Sequence, residues 1–126
     1  MNAKKKILVV DDDQAVGGML KKFLSKKGYE AIAVESGKEA LKKLKSEKPN
    51  IILLDIRMPE MDGIEVLKRI RDIDRNVGVI MITAVKEDEI GRRCMELGAY
   101  DYITKPFDLD YMENVLMVKL LVDENN

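Results

Sequence analysis

Three short stretches of this chain are continuous apolar runs, and each stops abruptly on a polar residue. Ile7-Leu8-Val9-Val10 ends at Asp11-Asp12-Asp13, Ile51-Ile52-Leu53-Leu54 ends at Asp55, and Val77 to Ile82 ends at Thr83-Ala84. An amphipathic helix or a half-exposed strand places polar residues at regular intervals. Runs of four to six β-branched and aliphatic residues without such intervals mark strands covered on both faces. That requirement excludes most all-β layouts and demands helices above and below one sheet.

The intervening segments supply those helices. Gln14 to Lys27 carries Val16, Leu20, Phe23 and Leu24 on one face with lysines opposite, and Gly28 follows as a left-handed C-terminal residue. Ser36-Gly37-Lys38-Glu39 matches a capping box ahead of Ala40, Leu41 and Leu44, and Lys48-Pro49 ends that helix. Ile64, Leu67 and Ile70 share a third helical face, and Ile90, Cys94 and Leu97 a fourth, closed by Gly98. Asp108 can cap a last helix whose buried stripe is Met112, Val115, Leu116 and Leu120, after which Asp123 to Asn126 is expected to fray.

Two further strands are less apolar. Glu30 to Val34 alternates like an edge strand, and Asp101 to Ile103 is short. Strand then helix, five times over, predicts a doubly wound α/β fold: a five-stranded parallel sheet flanked by five helices. The continuously apolar strands 1, 3 and 4 belong in the centre, and the order 2-1-3-4-5 satisfies this. At 126 residues the chain fits one domain, 1–126, with a core of about 7–121.

Composition removes several classes of chemistry. There is no histidine, which excludes every histidine-dependent mechanism, and the single cysteine, Cys94, excludes an internal disulfide and a cysteine-based zinc site. A net charge of −1 provides no whole-molecule field for nucleic acid or anionic membrane, so direct nucleic-acid binding is not expected. The apolar runs fall far short of the roughly 20 residues that cross a bilayer, and Met1 to Asp11 lacks a secretory core and cleavage site. A cytoplasmic protein without membrane contact is expected.

In the order 2-1-3-4-5, the crevice between strands 1 and 3 lies at the C-terminal sheet edge, where ligands of open α/β sheets bind. Asp11, Asp12 and Asp13 follow strand 1 and Asp55 follows strand 3, so adjacent strands deliver several carboxylates to one place. Left alone these would repel one another and raise their own pKa values. An oxygen-only set suits a hard divalent cation, Mg²⁺ above all where a phosphate is to share it. An isolated acidic triplet is ordinarily a helix cap, the role we assign to Asp13, but the pairing with Asp55 speaks for a site. Thr83 ends strand 4 and Lys105 ends strand 5; each alone is a bland strand-end residue, yet together they add a hydroxyl and an ammonium to the same edge. The inferred ligand carries several anionic oxygens, and the inferred nucleophile is a carboxylate.

Four segments carry a family resemblance in order and at the right spacing: Ile7 to Asp13, Leu54 to Gly63 (Leu-Asp-Ile-Arg-Met-Pro-Glu-Met-Asp-Gly), Met81 to Ala84, and Tyr102 to Phe107. From Ile7 to about Leu121 the chain resembles a response regulator receiver domain of two-component signal transduction, with its flavodoxin-like fold. The resemblance implies a phosphoacceptor rather than a turnover enzyme, although one that assists its own phosphorylation and dephosphorylation. Asp55 would take a phosphoryl group from a histidine kinase or histidine phosphotransfer protein. Mg²⁺ would be held by Asp12, Asp55 and the backbone carbonyl of Arg57, with Asp11 acting mainly through metal-bound water. Thr83 and Lys105 would grip the phosphoryl oxygens, and the Lys105–Pro106 bond would be cis. Thr83 and Tyr102 would form the switch that reshapes the helix 4, strand 5 and helix 5 face for a downstream protein or output domain, with a phosphorylation-dependent dimer among the outcomes the resemblance allows. Arg57 and Val85 occupy positions that tune the lifetime of the phosphorylated state, and Met58 and Met61 are read as gap-fillers.

Ile64 to Asp74 and Phe107 to Asp110 resemble sporulation-relay and enhancer-binding-regulator receivers more than chemotaxis ones. Met1 and the polar Asp123 to Asn126 ending are read as favouring a complete small protein over the receiver of a longer regulator. Two other classes compete. Asp11-x-Asp13 resembles the nucleophile motif of haloacid-dehalogenase-like phosphatases, with Asp11 as nucleophile, Asp13 as acid/base and Lys105 on the phosphate, but that reading leaves Asp55 unexplained. A pure binding module, either a flavodoxin-like carrier or a receiver that is never phosphorylated, is compatible with the fold.

Overall fold

A computed structural model describes residues 4–125 of the chain. Five strands, β1 (Lys6–Val10), β2 (Glu30–Val34), β3 (Ile51–Leu54), β4 (Gly78–Thr83) and β5 (Asp101–Thr104), alternate with five helices. These are α1 (Gln14–Lys26), α2 (Gly37–Glu47), α3 (Gly63–Ile73), α4 (Asp88–Glu96) and α5 (Leu109–Glu124). All strand pairings are parallel, in the order β2-β1-β3-β4-β5. The two strands with weaker apolar character are the edges, as their patterns require.

The unbroken runs divide their side chains between two cores with a period of two. Leu8, Val10, Ile52, Leu54, Val79 and Met81 face one side, where α2, α3 and α4 contribute residues such as Leu44, Leu67 and Cys94. Ile7, Val9, Ile51, Leu53, Ile80 and Ile82 face the other, against Leu20 and Leu24 of α1 and Met112, Leu116 and Leu120 of α5. Successive side chains of a strand point to opposite faces, so only a run apolar at every position satisfies both layers.

Local chemistry sets the boundaries. The Asp13 carboxylate accepts the Ala15 N–H, Ser36 and Asp62 accept the N–H groups of Glu39 and Glu65, and Asp108 accepts those of Asp110 and Tyr111. Gly28 and Gly98 adopt positive φ, as expected of left-handed helix ends. Met58 is buried and Met61 packs against the first core, so both fill space beneath the loop after β3.

One terminus departs from expectation. Instead of fraying at Asp123, α5 continues to Glu124. Lys119 Nζ donates to Asp123 Oδ1 at 2.6 Å across one turn, and Glu124 pairs with Lys5 at 3.4 Å, so the polar tail has partners along and beyond its own helix. Asn126 lies outside the described residues.

Candidate functional site

Register brings the polar strand ends together. Val10, Leu54 and Met81 lie side by side across the three central strands. The next residue of β1 is Asp11 and the next of β3 is Asp55, whose N–H donates to Val10 O at 3.0 Å. Thr83 pairs in register with Thr104 on β5, and the Lys105 N–H donates to Thr83 O at 2.8 Å. The ends of β1, β3 and β5 thus meet through Asp11, Asp55 and Lys105, with Thr83 at the neighbouring end of β4.

Among the described residues, Asp11, Asp55 and Thr83 are the buried polar ones, 4%, 7% and 0% exposed, whereas Asp12 projects to solvent. One carboxylate oxygen from each of Asp11, Asp12 and Asp55 lies within 4.8 Å of the others. Lys105 Nζ donates to Asp11 Oδ2 at 2.8 Å and to Asp55 Oδ2 at 3.2 Å. The Lys105–Pro106 bond is cis. The second Asp11 oxygen accepts the Asp13 N–H at 2.9 Å, and Asp55 Oδ1 accepts the Arg57 N–H at 3.4 Å. The Arg57 side chain is exposed and forms no ion pair among the described residues.

Electrostatics here are those of a site built for a cation. Burial, reinforced by the charge on Asp55, raises the Asp11 pKa, although the Lys105 ammonium and the Asp13 N–H pull the other way. Burial alone would lower the Lys105 pKa, but the Asp11 and Asp55 carboxylates outweigh it and the net shift is upward. Lys105 therefore remains an ammonium, and one ammonium faces three carboxylates. A hard divalent ion is the species that this oxygen-only set fits.

The structure reveals two features that residue patterns left hidden. Gly63 marks a close approach: a Cβ there would stand 2.1 Å from Asp55 O and 2.7 Å from Ile56 Cα, so the first turn of α3 rests directly on the backbone that carries Asp55. Its N–H donates to Ile56 O at 2.7 Å. The residues around Gly63 do not signal this, because a steric fit between two backbone stretches leaves no mark in residue type beyond the glycine itself. The second feature is Val85. Its N–H donates to Thr83 Oγ1 at 3.3 Å, and its carbonyl accepts the Tyr102 hydroxyl at 2.7 Å. The half-buried Tyr102, which packs against the first core, is thereby tied to Thr83 through the backbone of a single residue; both bonds use backbone atoms of Val85, so its side-chain identity could not announce them. Asp13 caps α1, as assigned.

No helix among the described residues is long and apolar enough to cross a membrane. Comparison with known proteins agrees with the geometry. The chain is 38% identical over 121 residues to sporulation initiation phosphotransferase F of Bacillus subtilis, covering 96% of this chain and 98% of that one. It is 46% identical over 103 residues to the alkaline phosphatase synthesis transcriptional regulatory protein PhoP of the same organism, but spans only 43% of that longer protein. Among solved structures, a CheY-like response regulator receiver domain protein from Methanospirillum hungatei superposes with a TM-score of 0.91 at 30% identity, covering 98% of this chain and all of the other. The family described as the response regulator receiver domain matches residues 7–117, and the chain belongs to it.

Proposed function

We propose that the chain is a phosphorylation-activated receiver in which Asp55 accepts a phosphoryl group from a phosphohistidine on a sensor histidine kinase or histidine phosphotransfer protein. The observation that carries this reading is the buried Asp55 carboxylate, held 3.2 Å from Lys105 Nζ and clustered with Asp11 and Asp12. With no histidine of its own, the chain requires the donor imidazole to come from a partner.

In the transfer a carboxylate oxygen of Asp55 forms the new bond to phosphorus as the phosphorus–nitrogen bond breaks, and the departing imidazole keeps the electron pair. Asp11, Asp12 and Asp55, with the backbone carbonyl of Arg57, would hold Mg²⁺, which when bound supplies positive charge against the phosphoryl oxygens. Lys105 exchanges its carboxylate partners for a phosphoryl oxygen; its charge is already in place, so little reorganisation is needed as negative charge gathers there. The Arg57 N–H, which Asp55 Oδ1 accepts, holds the acceptor carboxylate in orientation.

Thr83 is fully buried, so bringing its hydroxyl to the phosphoryl group moves the backbone after β4. Because Val85 is gripped by Thr83 on one side and Tyr102 on the other, that movement is passed to the Tyr102 ring and to the face formed by α4, β5 and α5. The phosphoryl group shifts a population only by as much as it binds the moved arrangement more tightly. A downstream protein, an output domain or a second copy reads that face. On this reading the chain is a phosphoacceptor that assists its own phosphorylation and dephosphorylation and does not turn over a separate substrate.

Intact mass of the wild type and of Asp55→Asn after incubation with acetyl phosphate, with and without Mg²⁺, tests the reading. One Mg²⁺-dependent phosphoryl adduct, absent from the variant, is expected. Label retained in Asp55→Asn would move the chemistry to Asp11 or Asp13 and overturn it.

A further inference from the structure

A groove of about 770 Å³ runs beside the acceptor site, between the loop after β3 and the start of α4. Its volume lies in the range of sites that enclose a drug-sized ligand. Its floor is apolar: Ile56, Met58, Ile64, Val85 and Ile90, with Pro59 along one wall. Ile56, Met58 and Val85 are buried beneath it, while Ile64 and Ile90 are half-exposed.

Its rim is acidic. Asp12, Asp62, Glu87 and Glu89 stand on it, all exposed, against a single cation, Arg57. Asp12 belongs to the metal cluster and Asp62 caps α3, so both have other tasks. Glu89, in the first turn of α4, complements the helix dipole, but its carboxylate and that of Glu87 stay exposed. Neither forms an ion pair among the described residues, and Glu87, although it precedes α4, provides no side-chain cap. Two exposed carboxylates with no ion-pair partner among the described residues, above an apolar floor, complement a ligand that is itself apolar and positively charged. The groove is open to solvent, which suits a chain segment whose backbone stays outside while its side chains enter.

We propose that this groove docks a cationic amphipathic segment of a partner protein, whose apolar side chains rest on Ile64, Val85 and Ile90 and whose Lys or Arg residues meet Glu87 and Glu89. Such an occupant bridges the acceptor loop and α4. Helix α4 is the element best able to respond, since Cys94 is its only buried residue.

The probe is a short fluorescein-labelled peptide of alternating Leu and Lys, read by fluorescence anisotropy against the full chain in saturating Mg²⁺, so that Asp12 is engaged by the metal. A Leu-Glu peptide of equal length is expected to bind about tenfold more weakly or worse, because the rim repels it. Glu87→Gln combined with Glu89→Gln is expected to weaken the Leu-Lys peptide about tenfold; both positions are exposed, so the variant tests charge without disturbing a core. Methyl chemical-shift changes should centre on Ile64, Val85 and Ile90. Equal affinity for the two peptides, an unchanged double variant, or shifts centred elsewhere would each overturn the proposal. So would doubling of the chain's own mass without peptide uptake, which would assign the groove to a second copy. The binding is read on the unphosphorylated chain, so its failure leaves the Asp55 adduct unaffected, and failure of the adduct leaves the binding result intact.

Discussion

Gly63→Ala is predicted to damage stability and phosphorylation together. An alanine Cβ at this position meets Asp55 O at 2.1 Å and Asp55 C at 2.8 Å, whereas ordinary contact begins at 3.4 Å. Every one of these neighbours is backbone, so no side chain can rotate away, and α3 must part from the end of β3. Overpacking of this kind costs about 1–3 kcal/mol. Losing the bond from the Gly63 N–H to Ile56 O adds roughly 1 kcal/mol, while the better helix propensity of alanine returns at most about 1 kcal/mol. The net expectation is a loss of about 2–3 kcal/mol, and with roughly 3–5 °C per kcal/mol for a domain of this size the melting temperature should fall by about 6–15 °C. Gly18→Ala is the control. It lies within α1 with nothing inside 4 Å of a new Cβ, and should gain about 0.5–1 kcal/mol. Urea unfolding followed by circular dichroism, with acetyl phosphate labelling measured where each variant is fully folded, checks both parts. Labelling by folded Gly63→Ala should be slowed, because the displaced backbone carries the acceptor. A Gly63→Ala protein within about 0.5 kcal/mol of wild type and labelled at the wild-type rate would refute the argument that α3 is seated on the acceptor strand.

Lys48 closes α2 at φ 48°, a left-handed conformation that costs a non-glycine residue about 1–2 kcal/mol, so Lys48→Gly should raise stability by about 1 kcal/mol in urea unfolding. The Asp11 pKa is raised, so its folded-state preference is for the protonated form; that stabilisation is present below the ordinary value of 3.8 and is lost as pH rises through the folded pKa. Asp11→Asn should therefore melt higher than wild type at neutral pH without divalent ions, yet gain less from added Mg²⁺; a lower metal-free melting temperature would contradict this. Tyr102 is pushed up to about 12 by burial first, with Cys94, Glu87 and Asp55 adding to it. Its contribution to stability is present below pH 10 and disappears as pH rises through about 12, and in an ultraviolet titration of the four tyrosines the latest step should vanish in Tyr102→Phe. The same variant, having lost its bond to Val85 O, should still be phosphorylated but transmit less to the α4, β5 and α5 face, as read by amide chemical shifts.

How much of this was legible from the residues depends on how local each cause is. Continuous apolarity in Ile7 to Val10, Ile51 to Leu54 and Val77 to Ile82 dictated doubly covered strands, and with them the central positions in the sheet, because every side chain of such a run must be buried. The caps at Asp13, Ser36 and Asp108 and the left-handed Gly28 and Gly98 were readable because each acts within a few residues of itself. The strand-end placement of Asp11, Asp55, Thr83 and Lys105 followed once the strand order was known. The tertiary structure alone decided what depends on contacts between distant segments. Parallel register set Lys105 against Asp11, 94 residues away, and the return of the loop between β3 and α3 seated Gly63 on the Asp55 backbone. Arg71 shows the same principle: its guanidinium donates to Val77 O at 2.7 Å and Gly98 O at 2.6 Å, joining the end of α3 to the turn before β5, although in the sequence it is one more cation on a polar helix face. The Thr83–Val85–Tyr102 link runs through backbone atoms, and Glu124 at the end of α5 meets Lys5 from the other end of the chain. Periodicity and capping are energies of neighbouring residues and are written in their order, whereas a steric fit or an ion pair across the fold exists only once the sheet has brought its partners together.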